Sequence, residues 1–371
     1  MKKITICFPF FGQSLGGSDI STINLINGLD KNKFEIRVVL LSRGILEKYL
    51  AKNKIKFDYI ELSFIKKNNF FYFLVNILIN FFKVFNYLRI QKVDIVHTND
   101  NKTHQSFFLQ AFVLNIRHVL HFRNNDTSFR NKIIFFFSKK IITISKFSYN
   151  QIPFIFKKKT KTIKNPVFLE KEKSSNLSEF YRWKAKNNPK KIICFVGNYS
   201  ERKRIEFFID IAVNIIKKNK KIYFVILGEK REPYYSRCKK KIKNELKEYF
   251  NFLGFHFSID HILEKSDLLV APAINEPFGR VLIEGMLNKI NIVASRSGAH
   301  TEVLKNGELG ILANTDDKND FVEKIIVALS IKNKQNLDKA KIYAENNYNQ
   351  KSHCKEIENI YKSFFLPKNF S

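Results

Sequence analysis

The sequence is poor in cysteine. Its 371 residues include four, Cys7, Cys194, Cys238 and Cys354, and no two of them form a C-x-x-C pair. This spacing indicates neither a disulfide framework nor a zinc site. Cys7 and Cys194 lie in apolar, strand-like runs, where cysteine acts as a small core residue. The chain is therefore suited to a reducing cytoplasm.

Acidic residues are also scarce. There are 34 aspartates and glutamates against 65 lysines and arginines, which gives a formal net charge of +31 at pH 7. Such a charge favours polyanions, whether phosphate ligands, nucleic acid or an anionic membrane face. Lysine runs occur at residues 157–159 and 239–241, but there is no arginine-rich arm and no nucleic-acid-binding motif. We therefore expect no nucleic acid partner.

Long apolar runs are rare, and the longest covers residues 70–85. It is shorter than the roughly 20 residues of a spanning helix, and Asn76, Asn80 and Lys83 interrupt it. This segment predicts a buried crossover helix, with partial insertion of an amphipathic face into a membrane surface as the alternative. Together with the net charge, it predicts a cytoplasmic protein that attaches peripherally to the inner face of the plasma membrane.

The chain contains two successive α/β patterns. Strand-like runs alternate with helical patterns in residues 1–172, and again in residues 191–345. Residues 173–190 are charged and contain serine and proline, which predicts a linker. Residues 346–371 predict a final helix.

A glycine-rich loop separates the first strand from the first helix. Gly16 and Gly17 lie in this loop, and Ser18 or Asp19 can cap the helix that follows. A strand, glycine loop and helix can together present backbone N–H groups to a phosphate or a sugar. On its own the Gly-Gly pair is a weak signal, and a plain turn is its commoner explanation. Ligands bind beyond the carboxyl ends of parallel strands, so His97 and His121, which end predicted strands, are expected near that edge. A hydrogen-bonded structural role is the alternative for either residue, and we interpret His97 as structural.

The densest pattern is N-E-P-F-G-R-V-L-I-E-G-M, residues 275–286. Pro277 predicts the first turn of a helix. The N–H groups of residues 278–280 would then point out of the helix start, toward an anionic or hydroxylated ligand. Glu276 and Glu284 are eight positions apart, roughly 12 Å at helical rise. That is too far for two carboxylates sharing one scissile bond, so they could instead hold the two ends of one elongated ligand. For a bare E-x7-E pair, a glutamate at a helix N-terminus plus a surface glutamate is the commoner explanation, and the full string is much more specific.

This stretch resembles the signature of the retaining glycosyltransferases of family 4, which have the GT-B fold. Further motifs follow in the family's order along nearly the whole chain. They include Gly16-Gly17, Asp94 to His97, His118 to His121, Ile144-Ser145, Asn165 to Val167, Phe195 to Lys203, Leu227 to Glu229, Leu253-Gly254 and Ser297 to Glu302. The resemblance implies two Rossmann-like, doubly wound parallel-sheet domains facing across a cleft. It also implies that residues 346–371 cross back to an N-terminal acceptor-binding domain, and that residues 191–345 bind the nucleotide sugar.

The resemblance also implies roles for individual residues. Glu276, His121 and Lys203 would be catalytic, with Glu276 and His121 at the sugar and Lys203 at the phosphates. Glu284 would take the ribose hydroxyls. The remaining donor-binding positions would be Gly16, Gly17, Asn198, Arg202, Gly228, Phe278, Gly279, Arg280 and Val281. No cofactor and no metal are expected, in line with the family's metal-independent chemistry and the lack of a D-x-D triplet.

One position departs from the family. An arginine usually follows the glycine of the Phe-Val-Gly strand end and binds the donor diphosphate, but here that position is Asn198. If a helix begins near Glu201, Arg202 and Arg204 diverge by about 200° around its axis. Arg202 would be closer to the helix start, so we predict that it replaces the missing charge.

The implied activity is transfer of a sugar, with retention, from a UDP- or GDP-sugar to a glycan or lipid-linked acceptor. Bacterial cell-surface polysaccharide biosynthesis, of lipopolysaccharide or capsule, is the expected setting. Two alternatives stay open: a nucleotide-sugar epimerase on the same fold, and a non-enzymatic polyanion-binding protein. Turnover of a labelled donor without acceptor would identify the epimerase. Steeply salt-dependent DNA binding would identify the polyanion-binding protein.

Overall fold

The computed structural model describes residues 3–13, 15–65, 69–169, 177–256, 258–331 and 334–366. The chain divides into two compact units. Unit 1 contains residues 1–166 and 350–371, and unit 2 contains residues 167–349. In the described residues each unit is built on one parallel sheet covered by helices, so the expected α/β class and GT-B fold are confirmed.

The sheet of unit 1 has seven parallel strands within the described residues, in the order β3-β2-β1-β4-β5-β6-β7. The strands are β1 (Ile4–Phe10), β2 (Phe34–Leu40), β3 (Asp58–Tyr59), β4 (Ile95–Thr98), β5 (Arg117–Phe122), β6 (Lys140–Thr143) and β7 (Thr160–Thr162). The helices between them are α1 (Gly17–Gly28), α2 (Ile45–Lys52), α3 (Phe70–Ile90), α4 (Asn101–Val113), α5 (Phe129–Phe137) and α6 (Lys146–Gln151). The strand order reverses between β1 and β4, the place where open parallel sheets bind ligands.

Unit 2 repeats this strand order with six described strands, β10-β9-β8-β11-β12-β13. They are β8 (Lys191–Val196), β9 (Ile222–Leu227), β10 (Phe250–Gly254), β11 (Leu268–Ala271), β12 (Asn291–Ser295) and β13 (Ile311–Ala313). Its helices are α7 (Ser178–Asn187), α8 (Ile205–Lys218), α9 (Tyr234–Lys241), α10 (Asp260–Leu263), α11 (Arg280–Leu287), α12 (His300–Val303), α13 (Lys318–Ser330) and α14 (Lys334–Asn347). The last helix, α15 (Gln350–Ser363), belongs to unit 1 and packs on α1.

Successive residues of a strand point to opposite faces, and this alternation gives unit 1 two apolar layers. Ile6 and Phe8 of β1 pack with α1, α2 and α15. Cys7, between them in sequence, packs on the other face with α3 and α4. Both predicted core cysteines, Cys7 and Cys194, are fully buried.

Helix α3 is the most apolar helix of unit 1. The prediction that this segment is too short to span a membrane was wrong, because the helix continues past residue 85 to Ile90. Its 21 residues are long and apolar enough to cross a membrane by length and composition, a criterion that core helices of soluble proteins also meet. One side of α3 is buried in unit 1 through residues that include Phe73, Val84 and Leu88. The opposite side leaves large apolar side chains exposed, so α3 combines features of both predicted alternatives.

Three further local predictions differ from the structure. Helix α11 begins at Arg280 rather than Pro277, because Gly279 at its N-cap has a left-handed φ of 81° and breaks the turn. Helix α8 begins at Ile205 rather than near Glu201, after Arg204 with a φ of 56°. In the predicted linker, residues 173–176 lie outside the described residues, while residues 178–187 form α7, which buries Phe180.

Candidate functional site

The site in unit 2 is centred on Glu276, in the loop between β11 and α11. Its side chain is only 10% exposed, and two cations reach the same carboxylate oxygen. Lys203 Nζ donates to Glu276 Oε2 at 3.0 Å, and the Arg202 guanidinium forms an ion pair with that oxygen. Burial would raise the pKa of Glu276, but Lys203 and Arg202 outweigh it and lower the pKa to about 2. Glu276 is therefore an ionised hydrogen-bond acceptor at neutral pH.

A tight turn after β12 contacts the backbone of Asn275 and Glu276. Ala299 N donates to Glu276 O at 2.8 Å, and Asn275 N donates to Ser297 Oγ at 3.0 Å. Gly298 lies so close that a Cβ there would be 2.4 Å from Glu276 N, and its φ is 59°. Only glycine allows this approach, so the turn fixes the backbone on which the carboxylate is carried.

His300 also faces Glu276, and the sequence prediction did not assign it to the site. It is buried at the start of α12, and its Nδ1 lies 3.0 Å from Ser295 Oγ. Burial lowers the pKa of His300 to about 4, although Glu276 opposes that shift. The family-like stretch from Ser297 to Glu302 was the available signal, but it did not single out this side chain.

The basic triplet at residues 202–204 divides its charges between two places. Arg202 and Lys203 converge on Glu276. Arg204 instead hydrogen-bonds Thr315 O, forms an ion pair with Asp316 at 3.0 Å and lies over the Phe207 ring at 3.9 Å. The expectation that Arg202 and Arg204 diverge holds, but a turn before α8 separates them rather than helical rotation.

Asn198, the position where the family carries arginine, lies beside Glu229. Glu229 N donates to Asn198 Oδ1 at 3.0 Å, and Arg231 Nε donates to Glu229 Oε2 at 2.7 Å. Arg231 is thus a second cation near this strand end. Gly228 belongs to the same corner, because a Cβ there would be 2.0 Å from Gly197 O. The structure therefore requires glycine at 228 for backbone packing.

The remaining predicted donor-binding residues lie on and before α11. Phe278 and Val281 are buried, and Phe278 packs on Tyr348 with ring centroids 5.8 Å apart. Arg280 Nε donates to Glu284 Oε1 at 2.7 Å. Burial raises the pKa of Glu284, against the opposing effect of Arg280. A ribose bound by Glu284 would share the carboxylate with Arg280.

The glycine loop of unit 1 leads directly into α1. Gly16 is the N-cap, and its N–H donates to Asp19 Oδ2 at 2.8 Å. Burial raises the pKa of Asp19 to about 6. The Asp19 carboxylate thus accepts from a backbone N–H group that the sequence analysis assigned to a ligand. A phosphate bound at Gly16 and Gly17 would have to displace this carboxylate.

His121 is the next-to-last residue of β5 and is fully buried. Its Nδ1 lies 3.1 Å from His97 Nε2 and 3.1 Å from an Arg123 guanidinium nitrogen. Burial and Arg123 lower the pKa of His121, so the ring is neutral. His97, expected to be structural, is part of this cluster, and His353 from α15 stacks on His121 at 6.1 Å.

The structure thus groups the predicted residues into separate clusters within each unit. Unit 2 brings together Glu276, Lys203 and Arg202, pairs Arg280 with Glu284, and places Asn198 beside Gly228. Unit 1 carries Gly16, Gly17 and His121. The first cluster joins an ionised acceptor to two cations, which suits a ligand with hydroxyl groups next to phosphate.

Comparisons with known proteins are consistent with this chemistry. Residues 178–350 match the family model described as glycosyl transferases group 1. The chain is similar to the uncharacterised glycosyltransferase MJ1178 of Methanocaldococcus jannaschii, with 26% identity over 342 residues, or 87% of this chain and 86% of that protein.

Two solved structures show the same fold. HepE of Anabaena in complex with UDP-glucose has a TM-score of 0.78 and 18% identity, covering 97% of this chain and 100% of that chain. WaaG, a glycosyltransferase involved in lipopolysaccharide biosynthesis, has a TM-score of 0.68 and 14% identity, covering 96% of this chain and 99% of that chain. Residues 178–350 are thus similar to the group 1 glycosyltransferases, and the solved structures show the GT-B fold.

Proposed function

We propose that the protein is a retaining hexosyltransferase of glycosyltransferase family 4, which transfers a sugar from a nucleotide sugar to a glycan or lipid-linked acceptor. The observation that carries this proposal is the convergence of Lys203 and Arg202 on the buried, ionised Glu276. A departing nucleoside diphosphate needs positive charge at its developing negative charge. The sugar beside it needs acceptors for its hydroxyl groups, and this cluster supplies both.

Each residue then has a defined task. Glu276 accepts hydrogen bonds from sugar hydroxyls. Lys203 and Arg202 stabilise the leaving diphosphate. Glu284 binds the ribose hydroxyls, and its carboxylate is then shared between the ribose and Arg280. His121 donates a hydrogen bond to the sugar. When the diphosphate draws Lys203 and Arg202 toward itself, Glu276 becomes free to bind the sugar, so the two halves of the donor are bound in a coupled way.

A UDP-sugar is the first donor to test, and a GDP-sugar is the second. The support is that HepE, which has the same fold, is described in complex with UDP-glucose. We place the reaction in bacterial lipopolysaccharide or capsule biosynthesis, because WaaG is described as part of lipopolysaccharide biosynthesis.

We also propose that catalysis needs no divalent metal, because Lys203 and Arg202 already provide two cations at the carboxylate. Among the described residues, no group of three or more His, Cys, Asp or Glu side chains could hold a metal ion. EDTA should therefore leave transfer within about twofold of its starting rate. Strict dependence on added Mn²⁺ would contradict this proposal.

The proposal includes a cytoplasmic location with peripheral membrane attachment through unit 1. Exposed apolar side chains occur on α3, on α5 and in the 3-10 turn that follows α6, including Phe71, Phe82, Phe136 and Phe154. The 3-10 turn ends in the lysine run 157–159, and basic residues near an anionic surface contribute about 1 kcal/mol each.

A thermal-shift panel of UDP, GDP, ADP and their common sugars tests donor binding. The nucleotide that stabilises the protein then identifies the donor for transfer assays, and NMR of the product reports its anomeric configuration. Stabilisation by a nucleotide together with an inverted product would reject retention. Turnover of labelled donor without acceptor would favour the epimerase, and absence of any nucleotide effect would reject the whole proposal.

A further inference from the structure

A buried line of hydrogen bonds in unit 1 connects the C-terminal helix to His121. The Tyr361 hydroxyl on α15 hydrogen-bonds His97 Nδ1 on β4. His97 Nε2 lies 3.1 Å from His121 Nδ1 on β5, and Arg123 Nη2 lies 3.1 Å from the same atom. Tyr361, His97 and His121 are all fully buried, so these contacts are shielded from water.

Arginine determines the direction of every bond in this line. A guanidinium only donates hydrogen bonds, so His121 Nδ1 must accept, and the proton of the neutral ring must lie on Nε2. His97 faces the same accepting nitrogen and therefore donates from its Nε2. Its Nδ1 must then accept, which makes the Tyr361 hydroxyl a donor. One tautomer of each histidine satisfies all three contacts.

This arrangement leaves a donor without a partner. Within the described part of the chain, His121 Nε2 is buried and has no hydrogen-bond partner. The same is true of Arg123 Nε and Nη1. Leaving a buried donor unpaired destabilises a folded protein, so such a group calls for an explanation, and a role in binding or catalysis is one. A ring held in the other tautomer would present a bare nitrogen that could only accept.

We propose that Arg123 and Tyr361 are positioning residues that hold His121 in its Nε2–H tautomer, ready to donate to an oxygen atom of the bound sugar. The identity of the ligand rests on the proposed function, whereas the tautomer does not. Tyr361 acts through His97, and Arg123 acts directly on His121. A residue near the end of the chain thereby contributes to a group on the central sheet.

Nitrogen-15 NMR of protein labelled at histidine tests the tautomer directly, because protonated and bare ring nitrogens have distinct chemical shifts. The eight histidines give a tractable spectrum, and His121→Gln assigns the signal of interest. The Nε2–H form is expected for His121 in the wild-type protein. Arg123→Met combined with Tyr361→Phe should produce a mixture with the Nδ1–H form.

Tyr87→Phe is the matched control, because it removes another part-buried tyrosine hydrogen bond of unit 1, to Asp58 at 2.7 Å. It should leave the His121 signal unchanged. An Nδ1–H form in the wild type, or an unchanged tautomer in the double variant, would overturn the proposal. These readings need no substrate, so they remain valid even if no transfer reaction is found.

A kinetic cycle separates positioning from general loss of structure. Tyr361→Phe keeps the ring packed on Phe34, at 5.8 Å between centroids. It should lower kcat/KM for the donor sugar roughly two- to tenfold while UDP affinity stays constant. In the His121→Gln background, where no tautomer exists, Tyr361→Phe should have no further effect. Equal losses in both backgrounds would show that Tyr361 acts only on stability.

Discussion

Units 1 and 2 share one strand order but bury different polar groups at the carboxyl ends of their strands. Unit 1 buries a cluster of histidines that burial keeps neutral. Unit 2 buries one carboxylate that two cations keep ionised. The same scaffold thus orients one set of groups by hydrogen-bond direction and the other by charge.

The difference has consequences for both stability and function. A neutral histidine ring selects its hydrogen-bond partners because one nitrogen donates and the other accepts. It loses this selectivity when a second proton makes both nitrogens donors. An ion pair tolerates rearrangement but depends on both of its partners. Acid should therefore affect unit 1 before unit 2, and charge-removing substitutions should affect unit 2 most.

The largest expected effect is acid destabilisation of unit 1. Burial lowers the pKa of five of its histidines, His97, His104, His118, His121 and His353. These side chains bind protons more readily in the unfolded chain, so stability falls as the pH drops below about 6.5. At pH 5 each costs up to about 2 kcal/mol, because that pH is about 1.5 units below the unfolded pKa.

Other groups in both units modify this balance. Burial raises the pKa of Asp19 to about 6, so its protonation offsets part of the loss in unit 1. In unit 2, burial lowers the pKa of His300 to about 4, and the lowered pKa of Glu276 gives stability that is lost only below about 4.5. Unit 2 should therefore unfold at a lower pH than unit 1.

The single tryptophan, Trp183, lies in unit 2 and reports on that unit alone. Hydrogen exchange of β4 and β5 should show unit 1 opening near pH 5, while Trp183 fluorescence stays native. His118→Gln should move the unit 1 midpoint to lower pH. Loss of the Trp183 signal before exchange of β4 would reverse the proposed order.

The next largest effect is expected for Glu276→Gln, which keeps the side chain's size and removes its charge. Transfer should fall at least about a hundredfold, because a preorganised polar contact to the reacting sugar is lost. UDP affinity should change less than about threefold. Glu284→Ala should show the opposite pattern and weaken nucleotide binding more than the sugar step.

Glu308→Gln is the matched control, since Glu308 forms an exposed ion pair with Lys305. It should retain wild-type kinetics. Steady-state kinetics with UDP-sugar and calorimetry with UDP give the two readings. Wild-type transfer by Glu276→Gln would remove the basis of the proposed site.

Arg202 is expected to matter about as much as Lys203, because both contact Glu276. A hydrogen bond between charged groups is typically worth about 1.5 to 3 kcal/mol, so Arg202→Ala should weaken donor use at least about tenfold. Arg204→Ala should have little effect on donor use, since Arg204 pairs with Asp316 and lies over Phe207. It serves as the neighbouring control, with thermal melting to measure its structural cost.

Asn198→Arg in the Arg202→Ala background sharpens this test. It should restore part of the donor affinity, as measured by KM for the nucleotide sugar. Full activity of Arg202→Ala would exclude it as the replacement charge. In that case Arg231, which reaches Asn198 through Glu229, becomes the cation to substitute next.

The sequence was sufficient for most of the regular elements and for the loop that carries Glu276. Short apolar runs predicted the strands, and the N-E-P-F-G string identified the loop that carries the carboxylate. The start of α11 was wrong because a buried Phe278 and a left-handed Gly279 interrupt the turn that Pro277 suggested. Tertiary packing of Phe278 on Tyr348, 70 positions away, is not encoded in the local pattern.

The pairing of charged and polar groups was harder to predict. Arg202, Lys203 and Arg204 are alike in sequence, and only their distant partners distinguish them. Tyr361 and His97 are 264 positions apart, and a tyrosine on an amphipathic helix normally indicates packing. Long-range partners of this kind need the assembled sheet before they can be recognised.

The smallest expected effect concerns the outer surfaces of the two units. Phe82 on α3 is 73% exposed, while Ile342 on α14 of unit 2 is 57% exposed. If unit 1 faces the membrane, Phe82→Ser should weaken binding to anionic vesicles by about 1 kcal/mol, or roughly fivefold, since the ring inserts only partly. Ile342→Ser removes a comparable exposed side chain from unit 2 and should leave binding unchanged. Co-sedimentation at low and high salt measures both, because the basic residues contribute a screened attraction and the apolar residues do not. Equal losses in the two variants would place the attachment on both units, and no binding by the wild type at low salt would end the membrane proposal.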